Sequence, residues 1–150
     1  TGGRSDSAIF FAVVLEYVGF GFALDEAVAQ AVRELRKAYP KSSYNCMVQS
    51  EDQLVVLCAA GRHETPPRIV EVSAEHGRSD KPEDYRILRY RRLTDEHGEQ
   101  AGVVVASSGF SQNESDGWRV LGNDQLLVAS NRTGEFRIRN LADSVYAENA

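Results

Sequence analysis

The feature that most constrains the fold of this sequence is an apolar run that follows a polar elbow. Residues 1–7 are rich in Gly, Ser and charge, and residues 8–15 are all Ala, Ile, Phe, Val or Leu. We predict a loop followed by a helix over 6–17 that stops near Gly19 or Gly21. Because this helix is apolar nearly all round, we expect it to be buried between layers.

The same run is the chain's only candidate for a membrane span. It extends over 8–24, but Glu16, Gly19 and Gly21 interrupt it, and its length lies at the lower limit for crossing a bilayer. We therefore expect a buried helix and no membrane segment. No basic segment with a small-residue cleavage site is present, so we expect no signal peptide and a cytoplasmic location.

Three polar residues, Ser5, Asp6 and Ser7, stand where the first helix begins. Short polar side chains there accept hydrogen bonds from the first backbone N–H groups, and a carboxylate lies in the favourable field of the helix N-terminus. In one interpretation, Asp6 only caps the helix. In the other, Asp6 follows the flexible Gly2 and Gly3 and binds the ammonium group of a small ligand.

Composition places the chain among ordinary globular domains. It has 150 residues, of which 42% are hydrophobic and 26% charged, enough to bury one core. Its formal charge of -5 argues against nucleic acid as a partner, because a nucleic-acid binder normally carries a basic face.

The cysteines and histidines show no metal-ligand spacing. Cys46 and Cys58 each lie in an apolar run without a CxxC pattern and are interpreted as reduced core thiols. His63, His76 and His97 fall in predicted loops, so we expect surface histidines and no metal site.

The rest of the pattern predicts a second helix and then strands. The second helix is expected over 26–39, capped by Asp25 and closed by Pro40. Its apolar residues recur at helical spacing: Val28, Ala31, Val32, Leu35 and Tyr39.

Strands are expected over 44–49, 53–60, 68–73, 85–93, 103–106, 125–130 and 135–141. Trp118 is interpreted as a core anchor. Helices followed by strands indicate an α+β fold.

Several short segments together resemble one known family. The stretch 3–10, Gly-Arg-Ser-Asp-Ser-Ala-Ile-Phe, is similar to the Gly-x-(Ser/Thr)-Asp-(Ser/Thr)-Glu segment of class II glutamine amidotransferases, with Ala8 where Glu is usual. Later segments resemble the family's in the same order: a Tyr-Asn hairpin at 44–54, a Tyr/Arg-rich strand at 85–92, Val-Val-Ala-Ser-Ser-Gly-Phe at 104–110, Asp-Gly-Trp at 116–118 and Leu-Leu-Val at 126–128.

The resemblance implies a fold and a reaction. It implies a four-layer αββα sandwich of the N-terminal-nucleophile (Ntn) hydrolase type, incomplete in this chain, with residues 1–141 as the C-terminal part of the amidotransferase domain and 142–150 as a tail. The implied reaction is hydrolysis of the γ-amide of glutamine, or of a γ-glutamyl bond, through a thioester. Asp6, with Ser5 beside it, would bind the substrate's α-amino group.

The family's catalytic groups lie before this elbow. The resemblance therefore implies no catalytic residue in this chain, no cofactor, and a partner segment, the N-terminal half, that carries the cysteine nucleophile. Cys46 is not expected to replace that nucleophile, because it lies inside a predicted strand.

Two alternatives stay open. One is a non-catalytic α+β interaction module, so that the chain's status as an enzyme is itself open. The other is an N-terminal threonine hydrolase that uses Thr1, although a Gly-Gly elbow and a helix are unusual behind such a nucleophile. A homo-oligomer is compatible with all three interpretations.

Overall fold

The computed structural model describes residues 5–61, 64–77, 82–107 and 110–143. Within these ranges the chain forms three α-helices and two antiparallel sheets, which makes it α+β as the sequence predicts. The helices are α1 (Asp6–Gly19), α2 (Leu24–Ala38) and α3 (Pro67–Glu75). The strands are β1 (Cys46–Gln49), β2 (Gln53–Cys58), β3 (Leu88–Thr94), β4 (Gln100–Ala106), β5 (Arg119–Leu121), β6 (Gln125–Ser130) and β7 (Phe136–Asn140).

Both sheets are fully antiparallel. The four-stranded sheet has the order β1-β2-β6-β7, and the three-stranded sheet has the order β4-β3-β5. In the centre of the first, Val56 lies opposite Leu127, and in the second Tyr90 lies opposite Val105. β1 and β7 are therefore the edges of the larger sheet within the described residues.

The four-stranded sheet is covered on both faces at its centre, because successive side chains of a strand point to opposite sides. One face of β2 and β6 packs against α1 and α2 through Val55, Leu57, Leu126 and Val128. The other face packs against the three-stranded sheet through Val56, Cys58, Leu127 and Ala129. The hairpin strands expected over 44–49 and 53–60 lack polar alternation, which predicts that both are covered on both faces. The structure confirms this for β2 but not for β1, where Met47 and Gln49 are exposed.

Helix α2 confirms the predicted periodicity but not its predicted cap. Val28, Ala31 and Val32 are fully buried. The N-cap residue is Ala23, which makes no side-chain cap bond, so the prediction that Asp25 caps this helix is wrong. Asp25 instead lies inside the first turn, where its carboxylate pairs with arginines of β7. Tyr39 is exposed, because the helix ends at Ala38 and Tyr39 leaves the helical register.

Helix α1 has the predicted bounds but not the predicted burial. It ends at Gly19, and Gly21 follows with a φ of 91° that favours glycine. Val14 is its one fully buried residue, so the expectation of burial on all sides is wrong. The helix lies on α2 and the sheet by one face only, and its outward face is uncovered by the described residues.

The expected strand over 68–73 is also wrong, because this stretch belongs to α3. Pro67 stands in the first turn, where its fixed φ suits a helix and its missing N–H costs nothing. Arg68 and Glu71 form an ion pair of 3.0 Å across one turn. These local helix signals outweigh the strand preference of the β-branched Ile69, Val70 and Val72.

The second sheet shows smaller differences from the prediction. A 3₁₀ turn, Pro82–Arg86, occupies the start of the predicted 85–93 strand, so β3 begins at Leu88. The short β5 was not predicted. Trp118 is confirmed as a core anchor, since it is buried between the Phe110 ring, 5.6 Å away, and the Arg91 guanidinium, 5.4 Å away.

Two other expectations concern the C-terminal tail and a membrane span. The predicted tail 142–150 begins with the end of a 3₁₀ turn, Leu141–Asp143, and its residues 144–150 lie outside the described ranges. None of the helices described is long and apolar enough to cross a membrane.

Candidate functional site

Asp6 lies in the first turn of α1, on the wall of a cleft of about 720 Å³. Its side chain is exposed, and within the described residues its carboxylate has no hydrogen-bond or ion-pair partner. The capping role belongs to Ser5, whose hydroxyl oxygen accepts a hydrogen bond from the N–H of Ala8 at 3.2 Å. Among the described residues Asp6 is therefore not used as a cap, and no described cation pairs with its carboxylate.

The cleft has one helical wall and one wall made of extended chain. The start of α1 forms the first wall, and residues 42–48, which lead into β1, form the second. Leu35 and Tyr39, from the end of α2, also contact the cleft. Hydroxyl groups line it on both sides: Ser5, Ser7, Ser42, Ser43 and Tyr44. A ligand in this cleft would meet one carboxylate, several hydroxyls and an apolar floor.

Asn45 holds the extended wall in place. Its Nδ2 donates to the carbonyl of Arg86 at 2.8 Å, and its Oδ1 accepts from the N–H of Ala59 at 2.8 Å. The N–H of Tyr44 donates to the carbonyl of Ala59, and the Tyr44 ring lies 6.1 Å from the ring of Phe10 on α1. The Tyr-Asn pair of the hairpin motif is thus a structural element that joins the two walls.

Cys46 also lines the cleft but is poorly suited to nucleophilic attack. Burial raises the pKa of its thiol to about 11, so the thiol stays protonated at neutral pH. A protonated thiol is a weak nucleophile. Burial also raises the pKa of Cys58, and both cysteines are free thiols. Neither is therefore an activated cysteine.

Of the histidines and N-terminal residues weighed from the sequence, those that the structure describes, His76 and His97, do not line this cleft. Thr1, Gly2, Gly3 and His63 lie outside the described residues. His76 and His97 are exposed on separate elements. Among the residues that the structure describes, no three His, Cys, Asp or Glu side chains are grouped to hold a metal ion.

A buried charged cluster was not predicted from the sequence. Asp25 and Glu26 of α2 face Arg137 and Arg139 of β7, with distances of 3.0 to 3.3 Å. The sequence pattern that could have predicted this cluster is the alternation along β7. There Phe136 and Ile138 face the second sheet, and the two arginines face the helices. Its charges pair with one another, so the cluster joins α2 to the sheet and has the character of a structural site.

No known protein family, curated protein or solved structure matches this chain. The chemistry of the cleft is therefore what supports a function.

Proposed function

We propose that this chain is the substrate-binding part of a class II glutamine amidotransferase-like protein. Asp6 binds the α-ammonium group of glutamine or of another γ-glutamyl compound. The observation that supports this proposal is the position of Asp6 on the wall of a cleft of about 720 Å³, where its exposed carboxylate has no hydrogen-bond or ion-pair partner among the described residues. Clefts of about 300–1,000 Å³ are typical of small-molecule sites.

The N-terminal end of α1 suits the ammonium and carboxylate groups of a zwitterionic amino acid. A carboxylate and an ammonium group form a charge-assisted hydrogen bond, which is stronger than a neutral one. The backbone N–H groups of Asp6 and Ser7 have no acceptor within the helix and lie at its positive end, so they suit the ligand's α-carboxylate. The hydroxyl of Ser5 accepts from Ala8 and still has its own proton to donate.

The proposed complete fold is the four-layer αββα sandwich. Two stacked sheets with helices on one outer face are compatible with three of its layers. Val120 and Leu93 are exposed on the outer face of the three-stranded sheet, where a further layer would bury them. A second segment would supply that fourth layer together with the nucleophile.

The proposed reaction uses a cysteine thiolate from that second segment. The α-amino group of that cysteine takes up the thiol proton. The thiolate attacks the γ-carbonyl carbon of glutamine, and the leaving nitrogen takes up that proton and departs as ammonia. Water then hydrolyses the thioester to glutamate and the free thiol. Asp6 fixes the ammonium end of the substrate, so that the γ-carbonyl is presented to the thiolate.

Ligand titration tests the binding role directly. We expect glutamine to cause saturable shifts in the amide NMR signals of Asp6, Ser7 and Tyr44. Asp6→Asn should weaken binding about 10- to 100-fold, since a hydrogen bond to a charged group contributes about 1.5–3 kcal/mol. Glu96→Gln, an exposed charge change in the turn after β3, is the matched control and should bind as the parent chain does. Equal affinity of Asp6→Asn and the parent would remove the proposed role.

The alternative is a non-catalytic interaction module, favoured by the lack of an activated cysteine among the described residues. It predicts no binding of glutamine at the cleft. A complex purified with a polypeptide that carries an N-terminal cysteine decides between the two, because only the amidotransferase releases ammonia from glutamine. In that complex, Asp6→Asn should raise KM steeply.

A further inference from the structure

Along the cleft, α1 changes from polar to apolar within one turn. Ser5, Asp6 and Ser7 are polar, whereas Ile9 and Phe10 are apolar, and all five line the cleft. Residues three and four positions apart lie side by side on a helix, so Ile9 and Phe10 are the neighbours of Asp6 one turn further on. Ile9 is 46% exposed, although it is large and apolar. The charged group of the cleft therefore lies beside an apolar surface.

The opposite wall adds an aromatic ring to this apolar surface. The Tyr44 ring lies 6.1 Å from the ring of Phe10, and both residues line the cleft. The hydroxyl of Tyr44 donates to the carbonyl of Tyr39 at 3.2 Å, which fixes the position of the ring. We call Ile9, Phe10 and Tyr44 the apolar end of the cleft.

The apolar end begins at the distance from Asp6 that a γ-glutamyl group spans. A rise of about 1.5 Å per residue places Ile9 and Phe10 about 4.5–6 Å beyond Asp6 along the helix axis. Five bonds separate the ammonium nitrogen of glutamine from its amide nitrogen, about 6 Å when the chain is extended. With the ammonium group on Asp6 and the side chain along α1, the amide nitrogen therefore reaches the apolar end.

The cleft has little that would recognise an unsubstituted amide at this position. Among the described residues one amide side chain, Asn45, lines the cleft. Its Nδ2 donates to the carbonyl of Arg86 and its Oδ1 accepts from the N–H of Ala59, so it holds the wall in place. A polar N–H group that is buried without a partner costs free energy. An apolar group on the amide nitrogen suits the apolar end better than a second N–H does.

We propose that the substrate of this cleft is a γ-glutamyl amide whose nitrogen carries an apolar group of about the size of one ring. This inference rests on the proposed function and narrows its substrate class. The apolar group covers Ile9 and packs on the rings of Phe10 and Tyr44. The cleft of about 720 Å³ is of the size that holds drug-sized ligands, whereas free glutamine has only about ten non-hydrogen atoms. With water, hydrolysis of such a substrate gives glutamate and an apolar amine in place of ammonia.

Calorimetric titration of the chain with three compounds tests the proposal. γ-Glutamyl anilide carries a ring on the amide nitrogen, γ-glutamylglycine carries a polar group there, and glutamine carries none. We expect the anilide to bind at least tenfold more tightly than the other two, because the apolar end removes its ring from water. Asp6→Asn should weaken the binding of the anilide and of glutamine by similar factors.

A matched pair of variants tests where the ring lies. Ile9→Ser should lower the ratio of anilide affinity to glutamine affinity at least threefold. Leu15→Ser is the control, since Leu15 is an isomer of isoleucine on the same helix, is 53% exposed and does not line the cleft. It should leave the ratio unchanged. Both side chains are exposed, so we expect circular dichroism to show the parent fold for each variant.

The outcomes separate this inference from the proposed function. Equal affinities for the anilide and glutamine, both dependent on Asp6, would overturn the inference and leave the proposed function intact. Equal gains for γ-glutamylglycine and the anilide would also overturn it, because the cleft would then recognise length and not apolar character. So would a ratio that Ile9→Ser and Leu15→Ser change equally. If neither compound shows binding that depends on Asp6, the proposed function fails, and this inference fails with it.

Discussion

The carboxylate of Asp25, in the first turn of α2, lies 3.3 Å from Nε of Arg139, near the end of β7. Their side chains are 10% and 14% exposed. Glu26, the next residue of the helix, lies 3.2 Å from Nη2 of the same arginine. One guanidinium therefore pairs with two consecutive carboxylates and joins the helical layer to the edge of the four-stranded sheet.

Removal of that guanidinium should destabilise the chain strongly. We expect Arg139→Met to lower the free energy of unfolding by about 1.5–3 kcal/mol, because Glu26 loses a charge-assisted hydrogen bond and Asp25 keeps only its pair with Arg137. Arg132→Met is the control, since Arg132 pairs with Asp52 at 2.6 Å but both side chains are largely exposed. Exposed pairs contribute about 0–1 kcal/mol. Urea unfolding followed by circular dichroism measures both changes.

A loss at Arg139 no larger than the loss at Arg132 would contradict this account of the cluster. Arg139→Met combined with Asp25→Asn extends the test. The double variant should lose less stability than the two single variants added together, because both substitutions break the same contact between Asp25 and Arg139.

Local patterns were sufficient to predict the parts of the fold whose cause is local. The helical spacing of Val28, Ala31 and Val32 predicts α2, and the unbroken apolar run of β2 predicts a strand buried on both faces. The role of Asp25 could not be predicted from local patterns. Its partner Arg139 is distant in the sequence, so the choice between a cap and a buried ion pair is made by tertiary structure.

The candidate site likewise has a part that local sequence predicts and a part that tertiary structure determines. The motif around Asp6 predicts a carboxylate at the start of a helix, and the structure describes it there. The opposite wall of the cleft depends on Asn45, which bonds to backbone groups of two other segments. No local pattern encodes that contact. The exposed outer side of α1 was missed because an apolar run does not tell which of its sides a neighbour covers.

Gly134 should tolerate no side chain, because the β6–β7 turn packs directly on β4. A Cβ there would collide with the carbonyl oxygen of Ala101 and lie 2.6 Å from the carbonyl carbon, and the φ of 72° already favours glycine. We expect Gly134→Ala to cost about 3 kcal/mol or more, from backbone strain and overpacking together. Gly98→Ala is the matched control, since its φ is 83° but nothing lies within 4 Å of its Cβ position.

Thermal unfolding of the two variants separates strain from collision. Gly98→Ala should lose about 1 kcal/mol from the positive φ alone. If the two losses are equal, the turn does not pack against Ala101 as described.

The pH dependence of stability should reveal the buried thiol of Cys46. Burial raises its pKa from 9.0 to about 11, so between these values the unfolded chain loses the proton while the folded chain keeps it. The folded state then binds more protons than the unfolded state, and the free energy of unfolding falls as pH rises. The contribution is fully present below pH 9 and is lost by about pH 11, a loss on the order of 2–3 kcal/mol.

Cys46→Ala should remove this part of the alkaline loss. We expect the difference in unfolding free energy between the parent and the variant to change between pH 8.5 and about 11, as measured by urea titrations at fixed ionic strength. Cys58, whose pKa burial also raises, is present in both proteins, so its contribution cancels in the difference. A difference that stays constant over this range would show that the thiol at the cleft ionises normally. Cys46 would then become a candidate nucleophile beside Asp6.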